Sequence, residues 1–260
     1  MPALGGDGRV WINVDCCGLF TATMTYALMV LGLLGALHLL DIGTSVGLFL
    51  FLLLFGTVSL AGLSHMRCML TDPGSVPSLP REIELEHIPK GELRLRNGEY
   101  VSVCRRCHTY KPERAHHCSV VNNCVGENNQ KFFILFTAYI FLSALVLLLI
   151  IIHHFRSCPS PRECIFDSDR ALRPLVVFGL IMESLLFGLF TLIMTCDQLY
   201  NIANETSTID RIKGSKLGRA AESTVDKLRV VFGSHPHWTW LLPLEGAELR
   251  FRKRQLEHVV

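Results

Sequence analysis

The sequence contains little charge of either sign. Only 18% of its 260 residues are charged, and 25 lysines and arginines against 23 acidic residues leave a formal net charge of +2. This balance excludes the broad basic surface that nucleic-acid-binding proteins use, so we expect no nucleic acid among the partners. Hydrophobic residues make up 50% of the chain, which is high for a soluble domain of this length.

The chain also lacks an internal repeat, a low-complexity tract and the pattern of a cleavable signal peptide. Its first ten residues carry one basic residue, Arg9. The apolar block that follows is longer than the apolar core of a signal peptide. We therefore expect this first block to stay in the membrane as an anchor.

Long apolar runs are abundant, and four of them could cross a membrane. Each run exceeds the length needed to span about 30 Å of hydrocarbon at about 1.5 Å per residue of helix. None shows the polar stripe of a helix at the surface of a soluble protein. The runs are 16–40, 42–64, 132–152 and 174–196, the last interrupted only by Glu183. The sequence predicts an all-α polytopic membrane protein with four transmembrane helices.

The distribution of lysine and arginine predicts the orientation of these helices. Segments 1–15, 65–131 and 197–260 share one side of the membrane and carry 21 basic residues, whereas segment 153–173 carries 4. Positively charged segments remain preferentially in the cytoplasm. We therefore expect both termini and the long middle segment to be cytoplasmic and 153–173 to be lumenal. The helix pairs then occupy 16–64 and 132–196.

The ten cysteines divide by compartment. Clustered thiols in a reducing loop more often bind a metal or catalyse a reaction than form disulfides. Cys158 and Cys164, in the predicted lumenal loop, form either a small disulfide or two free thiols. The cysteines at the ends of the apolar runs either pack or undergo reversible acylation; they are Cys16, Cys17, Cys68 and Cys196.

The cysteines of the middle segment have the spacing of a metal site. Cys104, Cys107, His117 and Cys124 form a Cys-x2-Cys-x9-His-x6-Cys array. Three sulfurs and one imidazole nitrogen suit a closed tetrahedral zinc site. Cys118 is an alternative ligand, and His116 is an alternative to His117.

Local patterns predict smaller elements around this array. Asp72-Pro73-Gly74 indicates a turn after the second apolar run. A hairpin ending at Asn97-Gly98 would place strands around Val101 and Val103 and lead into Cys104. Residues 222–232 have apolar side chains at helical spacing, so we expect an amphipathic helix packed on the ends of the spans rather than on a separate partner.

Two longer motifs resemble one family. Cys-x2-Cys-x3-Lys-Pro-x-Arg-Ala-His-His-Cys-Ser covers 104–119, and Val-Asn-Asn-Cys-Val-Gly-x-x-Asn-x-x-Phe-Phe covers 121–133. They resemble the cysteine-rich domain of the protein S-palmitoyltransferases named after an Asp-His-His-Cys motif. Asp72-Pro73-Gly74 matches another family signature, and 207–210 resembles a softened Thr-Thr-x-Glu. The likeness covers about residues 15 to 245 and is greatest to the Golgi-associated branch.

The resemblance also implies that this chain lacks a segment that the family contains. In the family, a second cysteine pair, the Asp-His-His-Cys box and a Pro-Trp separate the segments matching 115–120 and 121–126, but here Val120 and Val121 are adjacent. The catalytic nucleophile of the family is therefore absent. The residues that flank His116-His117-Cys118 match the segment of the family that binds the first zinc ion. We therefore favour a metal-ligand role for this segment over Cys118 as a surrogate nucleophile.

The family's zinc sites can be carried over residue by residue. Its members hold two zinc ions, each bound by three cysteines and one histidine. Cys104, Cys107 and His117 match three ligands of the first ion, and Cys118 and Cys124 match two of the second. Cys124 now stands at the offset from His117 that the absent fourth ligand would occupy. We therefore expect a single structural zinc ion.

The resemblance implies an enzyme that transfers a fatty acyl group from palmitoyl-CoA or another acyl-CoA to cysteines of membrane-associated proteins. We expect impaired catalysis and a multi-pass protein of the Golgi or another endomembrane. The alternative is a non-catalytic four-span zinc scaffold that binds acyl-CoA or partner proteins. Glu183 is then either a structural contact or part of the environment of the acyl chain.

Overall fold

The architecture was analysed in a computed structural model. It describes residues 11–74, 92–94, 100–107, 109–111, 115–166, 171–204, 223–233 and 238–244. The predicted turn at Asn97-Gly98 and the 207–210 signature lie outside these residues.

Four long helices confirm the predicted membrane architecture. Their mean hydropathy lies between 1.8 and 2.9, and each is long enough to cross a bilayer. The chain is thus a multi-pass membrane protein with a cysteine-rich segment between its second and third long helices. The four helices are α1 (Cys16–Leu39), α2 (Ser45–Leu70), α3 (Gln130–Ser157) and α5 (Arg173–Asn204).

Three of these helices extend beyond the apolar runs that predict them. The run at 42–64 ends where polar residues begin, yet α2 continues to Leu70. Likewise α3 continues to Ser157 and α5 to Asn204. Hydropathy marks only the part of a helix that lies in hydrocarbon, whereas backbone hydrogen bonding continues through polar residues beyond it.

The beginnings of α1 and α2 are fixed by side chains. The Asp15 carboxylate accepts a hydrogen bond from the Gly18 N–H at 2.9 Å and so caps α1. The connection to α2 is short, and at its end the Thr44 hydroxyl accepts from the Gly47 N–H at 3.1 Å. Asp41 accepts from the Gly43 N–H within the same turn.

The chain forms two compact units. One unit, 24–63 with 135–196, is a bundle made from the long helices. Its core is aliphatic and includes Leu54, Ile150 and Leu180. Helices approach closely at Gly35, where an added Cβ would lie 2.9 Å from a Leu180 methyl carbon. Larger residues at this position would separate α1 from α5.

The other unit comprises 1–23, 64–134 and 197–260. It contains a three-stranded antiparallel sheet in the order β1-β2-β3 and a hairpin of β4 and β5. Strand β2 confirms the strand predicted before Cys104. The strands are β1 (Glu92–Arg94), β2 (Tyr100–Cys104), β3 (Thr109–Tyr110), β4 (His116–Cys118) and β5 (Asn123–Val125).

The predicted amphipathic helix of the tail is present as α6 (Thr224–Phe232). The Ser223 hydroxyl caps it by accepting from the Asp226 N–H. Val231 is buried against Ile134 of α3 and Ile202 of α5. The helix therefore packs on the ends of the spans, as its pattern predicts.

A short helix, α4 (Pro161–Ile165), lies between two cysteines that are joined in a disulfide. The Cα atoms of Cys158 and Cys164 are 5.6 Å apart, within the range that a disulfide requires. Of the two alternatives for this pair, the structure has the disulfide rather than free thiols.

Alkylation checks this pairing. In denatured, metal-free and unreduced protein, we expect eight of the ten cysteines to react, because eight thiols are free. All ten should react after reduction. Mass spectrometry of the intact chain counts the adducts, and ten adducts without reductant would show that the disulfide does not form.

Candidate metal centre

The Cys-x2-Cys motif forms a tight turn at the end of β2. The backbone N–H of Cys107 donates to the Cys104 Sγ at 3.4 Å. Both side chains are buried, with exposed fractions of 3% and 1%. The turn therefore directs two sulfurs to the same enclosed point, as zinc knuckles do.

The other two candidate ligands come from the β4–β5 hairpin. His117 and Cys124 are paired directly opposite each other in the antiparallel register. Directly opposite residues place their side chains on the same face of a hairpin, close together. The hairpin thus presents one imidazole and one sulfur to the knuckle.

The four side chains meet with the dimensions of a tetrahedral site. The His117 Nδ1 lies 3.3 Å from the Cys107 Sγ and 3.6 Å from the Cys104 Sγ, and the Cys107 and Cys124 sulfurs are 3.6 Å apart. All four ligand atoms lie within 4.8 Å of one another. The edges of a tetrahedral zinc site with these ligands are about 3.5 to 3.8 Å. The residues present therefore fit a zinc ion.

The electrostatics of the cluster also favour a cation. The Cys107 and Cys124 thiols hold the pKa of Cys104 well below its ordinary value by hydrogen bonding to its thiolate. That thiolate in turn raises the pKa of Cys107 to about 12, and together with the Cys107 sulfur it raises the pKa of Cys124. Without a positive ion only one of the three sulfurs is readily ionised, whereas a divalent ion allows all three to bind as thiolates.

Neither alternative ligand takes part in the cluster. Neighbouring residues of a strand point to opposite faces, so His116 and Cys118 face away when His117 faces the knuckle. The His116 ring instead packs edge-to-face on Phe133, with centroids 6.2 Å apart. Burial raises the pKa of the Cys118 thiol, although the N–H groups of Val121 and Val120 hydrogen-bond to its sulfur.

The junction between Val120 and Val121 lies in the turn of the same hairpin. The Asn122 N–H donates to the Ser119 carbonyl at 3.1 Å, and Asn122 adopts the left-handed conformation with φ of +46°. His65 on α2 approaches the Val120 carbonyl at 2.9 Å through its Nε2. The adjacency of the two valines is therefore accommodated by a short turn, and the hairpin stays in register.

Asn123 joins the hairpin to the end of α2. Its amide nitrogen donates to three carbonyl oxygens at 2.9 to 3.2 Å, and its amide oxygen accepts from the Cys124 N–H and the Trp11 indole. The side chain is fully buried. The three carbonyls are those of Cys68, Met69 and Thr71. They lie at the carboxyl end of α2, where helical carbonyls lack partners within the helix.

Asn129 forms a second link of the same kind. Its amide nitrogen donates to the Cys68 and Cys124 carbonyls, and its oxygen accepts from the Gly126 N–H at 2.8 Å. Cys68 itself is buried, and its thiol lies 3.8 Å from the Asn129 carbonyl. This cysteine therefore packs, whereas Cys16, Cys17 and Cys196 are exposed.

The segment before α1 closes another side of the site. Asn122 and Asn13 exchange side-chain-to-backbone hydrogen bonds at 2.9 and 3.2 Å. A Cβ added at Gly18 would lie 2.0 Å from the Asn122 Oδ1, so only glycine fits there. Arg106, from the knuckle, forms an ion pair with Asp15 at 2.9 Å. The Gly18 N–H, and then Arg106, lower the pKa of Asp15.

Sequence reasoning identified the ligand array but assigned no role to these supporting residues. Asn122, Asn123 and Asn129 belong to the motif at 121–133. Their positions next to Cys124 and just before α3 could have indicated a structural role. Trp11 and Gly18 carry no such signal, because their roles depend on contacts with residues more than 100 positions away.

Comparisons with known proteins agree with this arrangement. The sequence pattern of the DHHC palmitoyltransferase family matches residues 92–215. Palmitoyltransferase ZDHHC7 of Rattus norvegicus is 37% identical, over 95% of this chain and 84% of its own length. Palmitoyltransferase ZDHHC3 of Homo sapiens is 34% identical, over 90% of this chain and 83% of its own length. The chain belongs to the DHHC palmitoyltransferase family.

Proposed function

We propose that the chain binds fatty acyl-CoA in the membrane and transfers the acyl group to cysteines of membrane-associated proteins with low turnover. The observation that carries this proposal is the closed cluster of three cysteines and one histidine in a chain of this family. Low turnover follows because the sequence contains no Asp-His-His-Cys.

The cluster holds one structural zinc ion in this proposal, through Cys104, Cys107, His117 and Cys124. Zinc bound by four protein ligands has no open position for substrate, so its contribution is to fix the hairpin and knuckle. The residues around the ion then keep β4 and β5 attached to α2 through the hydrogen bonds of Asn123 to Cys68 and Met69. Chemistry has to come from a sulfur outside this set.

We further propose that a segment present in the family is missing between Val120 and Val121. The alignment with the rat ZDHHC7 protein extends over 272 positions, more than the 260 residues of this chain, so the relative has residues without a counterpart here. The short turn at 119–122 is consistent with this junction. Sequencing transcripts across the two valine codons tests whether longer messages exist.

The reaction of the family has two steps. A thiolate attacks the thioester carbon of acyl-CoA and releases CoA as its thiolate; a substrate cysteine then attacks the acyl-enzyme and regenerates the first thiolate. Cys118 is the thiol of the hairpin that the metal cluster leaves free. It is half-buried beside the turn, so acyl-CoA reaches it poorly.

The helical bundle supplies the site for the acyl chain in this proposal. It contains a cavity of about 40 Å³, which holds only a short part of a fatty chain while the helices keep this arrangement. Its walls are mainly apolar and include Met29, Leu54 and Leu147. Each methylene buried against such walls contributes about 0.8 kcal/mol, so the rest of the chain would bind along the apolar surfaces of the helices even where transfer is slow.

We also propose that both termini and the cysteine-rich segment are cytoplasmic and that the protein resides in the Golgi or another endomembrane. The basic residues, 21 against 4, support this orientation. A disulfide between Cys158 and Cys164 suits the oxidising side of an endomembrane. His154, near this disulfide, approaches the Leu39 carbonyl, so α1 ends beside the same loop.

An acylation assay on the purified full chain tests the function. With an alkyne analogue of palmitoyl-CoA, we expect saturable binding and a small amount of covalent label that hydroxylamine removes. Cys118→Ser should abolish that label, whereas Cys196→Ser, at an exposed thiol, should retain it.

Two results would contradict the proposal. If the acyl-CoA analogue does not bind saturably, the proposed acyl-CoA function is wrong. Label formed as fast as by an active relative would show that turnover is not limited by the missing nucleophile. Label unaffected by Cys118→Ser would show that a thiol other than Cys118 carries the acyl group.

A further inference from the structure

His154, in the last turn of α3, is buried with both ring nitrogens facing carbonyl oxygens. Its Nδ1 lies 3.2 Å from the Leu39 carbonyl oxygen at the end of α1, and its Nε2 lies 3.3 Å from the Cys164 carbonyl oxygen in α4. The residue is only 8% exposed. A neutral imidazole carries one proton, so it can donate to only one of these oxygens. The other nitrogen therefore turns its lone pair towards an acceptor in a buried site.

A metal ion would resolve this mismatch without placing a charged ring in the interior. A doubly protonated ring could donate to both carbonyls, but burial of that positive charge is unfavourable unless it is paired. A neutral imidazole instead binds a metal through the lone pair of one nitrogen and donates the N–H of the other. Metal-bound histidines commonly direct that second N–H to a backbone carbonyl, and the Leu39 carbonyl stands in this position. His154 is thus oriented as a metal ligand.

Two sulfurs lie beside this ring. Cys158 follows His154 by four positions, so the two residues share one face at the end of α3, and its Sγ is 3.2 Å from the His154 carbonyl oxygen. Helix α4 turns the chain back, which places the Cys164 Sγ 3.7 Å from the same oxygen. One nitrogen of His154 and the two sulfurs all lie within 4.8 Å of one another. These residues are separate from the cysteine-rich cluster.

We propose that His154, Cys158 and Cys164 form a second metal site, which binds Zn²⁺ when the disulfide is reduced and releases it when the disulfide forms. A dithiol reduces the disulfide by transferring two electrons and two protons, and is itself oxidised to a disulfide. Zinc then binds both sulfurs as thiolates, and the two thiol protons are released. The disulfide and the zinc ion are therefore alternative states of the same cysteine pair.

The backbone of this segment suits both states. The Cα atoms of Cys158 and Cys164 are 5.6 Å apart. Two sulfurs on one tetrahedral zinc ion lie about 3.8 Å apart, so rotation of the two side chains is enough to place them around an ion. Two thiolates and an imidazole suit zinc better than calcium or magnesium. Because three protein ligands leave a fourth position for water, the site is suited to reversible binding, unlike the closed cysteine-rich cluster.

Elemental analysis of the purified full chain in lipid nanodiscs tests this site. Without reductant, the chain should retain about one zinc ion, that of the cysteine-rich cluster. After reduction by a phosphine, incubation with Zn²⁺ and desalting, it should retain about one ion more. Cys164→Ser should show no increase on reduction, because it leaves one sulfur of the pair. Cys196→Ser, at an exposed thiol outside the pair, is the matched control and should show the full increase.

Cobalt supplies a second measurement that reports on the ligands. With zinc in the cysteine-rich cluster, Co²⁺ added after reduction should give thiolate-to-cobalt absorption. We expect His154→Gln to weaken this absorption and to lose the ion on desalting, since only two ligands remain. His153→Gln changes the neighbouring histidine, which lies outside the three-residue group, and should behave as the natural chain does.

The increase in bound metal on reduction is the measured quantity, so the test depends neither on the occupancy of the cysteine-rich cluster nor on acyl transfer. No increase in the natural chain would overturn the proposal, as would an equal increase in Cys164→Ser. If His154→Gln gives the same absorption and retention as the natural chain, the imidazole is not a ligand and the three-residue site is wrong.

Discussion

Cys124→Ser is expected to remove the single zinc ion from the purified protein. Cys124 provides one of the four ligand atoms and lies on the hairpin strand that pairs with His117. A serine oxygen is a poor replacement for a thiolate, and the three remaining ligands would leave the ion partly exposed. Structural zinc contributes about 10 to 16 kcal/mol to the folding of small zinc domains, so the cysteine-rich unit should lose its order as well.

Elemental analysis of the full chain in detergent measures this effect. The natural chain should contain about one zinc ion, and Cys124→Ser should contain almost none. Cys118→Ser is the matched control, because Cys118 lies next to the cluster in sequence but outside it in the structure. Two ions in the natural chain, no ion at all, or a full complement in Cys124→Ser would refute the assignment.

Asn123→Asp is expected to give the largest loss of stability among single substitutions outside the ligands. The change keeps the shape of the side chain but places an oxygen opposite the carbonyls of Cys68, Met69 and Thr71. Three buried donations are replaced by repulsion between acceptors, and a carboxylate enters a fully buried site. We expect a loss of about 3 kcal/mol or more in the free energy of unfolding.

Thermal unfolding of the zinc-loaded protein in detergent measures this change. A loss of that size lowers Tm by about 6 to 12 °C in a chain of this length. Asn204→Asp is the control, since Asn204 is exposed and, among the described residues, hydrogen-bonds only to the Tyr200 carbonyl of its own helix. If both variants unfold at the same temperature, Asn123 does not connect the hairpin to α2 in the way described.

The metal ligands illustrate what spacing can and cannot establish. The Cys-x2-Cys knuckle predicted two ligands directly, because its geometry is local. The choice between His116 and His117, and between Cys118 and Cys124, depends on which face of β4 meets the knuckle. That face is fixed by the pairing of His117 with Cys124. This pairing is visible in the folded structure but not in the spacing of the ligands.

The helices and the asparagines show the same limit. Apolar runs predicted all four spans, because the hydrocarbon core sets their length and composition. Helices α2 and α5 continue several residues beyond the apolar runs, since polar residues can continue a helix outside the hydrocarbon. The role of Asn123 was not predicted, because the carbonyls it binds lie more than 50 positions earlier.

The turn at 119–122 has a consequence for the evolution of chain length in this protein. Residues added between Val120 and Val121 would emerge from the tip of a hairpin, where each doubling of loop length costs only about 0.6 kcal/mol of closure entropy. An insertion at this position is therefore compatible with the same membrane helices and the same metal ligands.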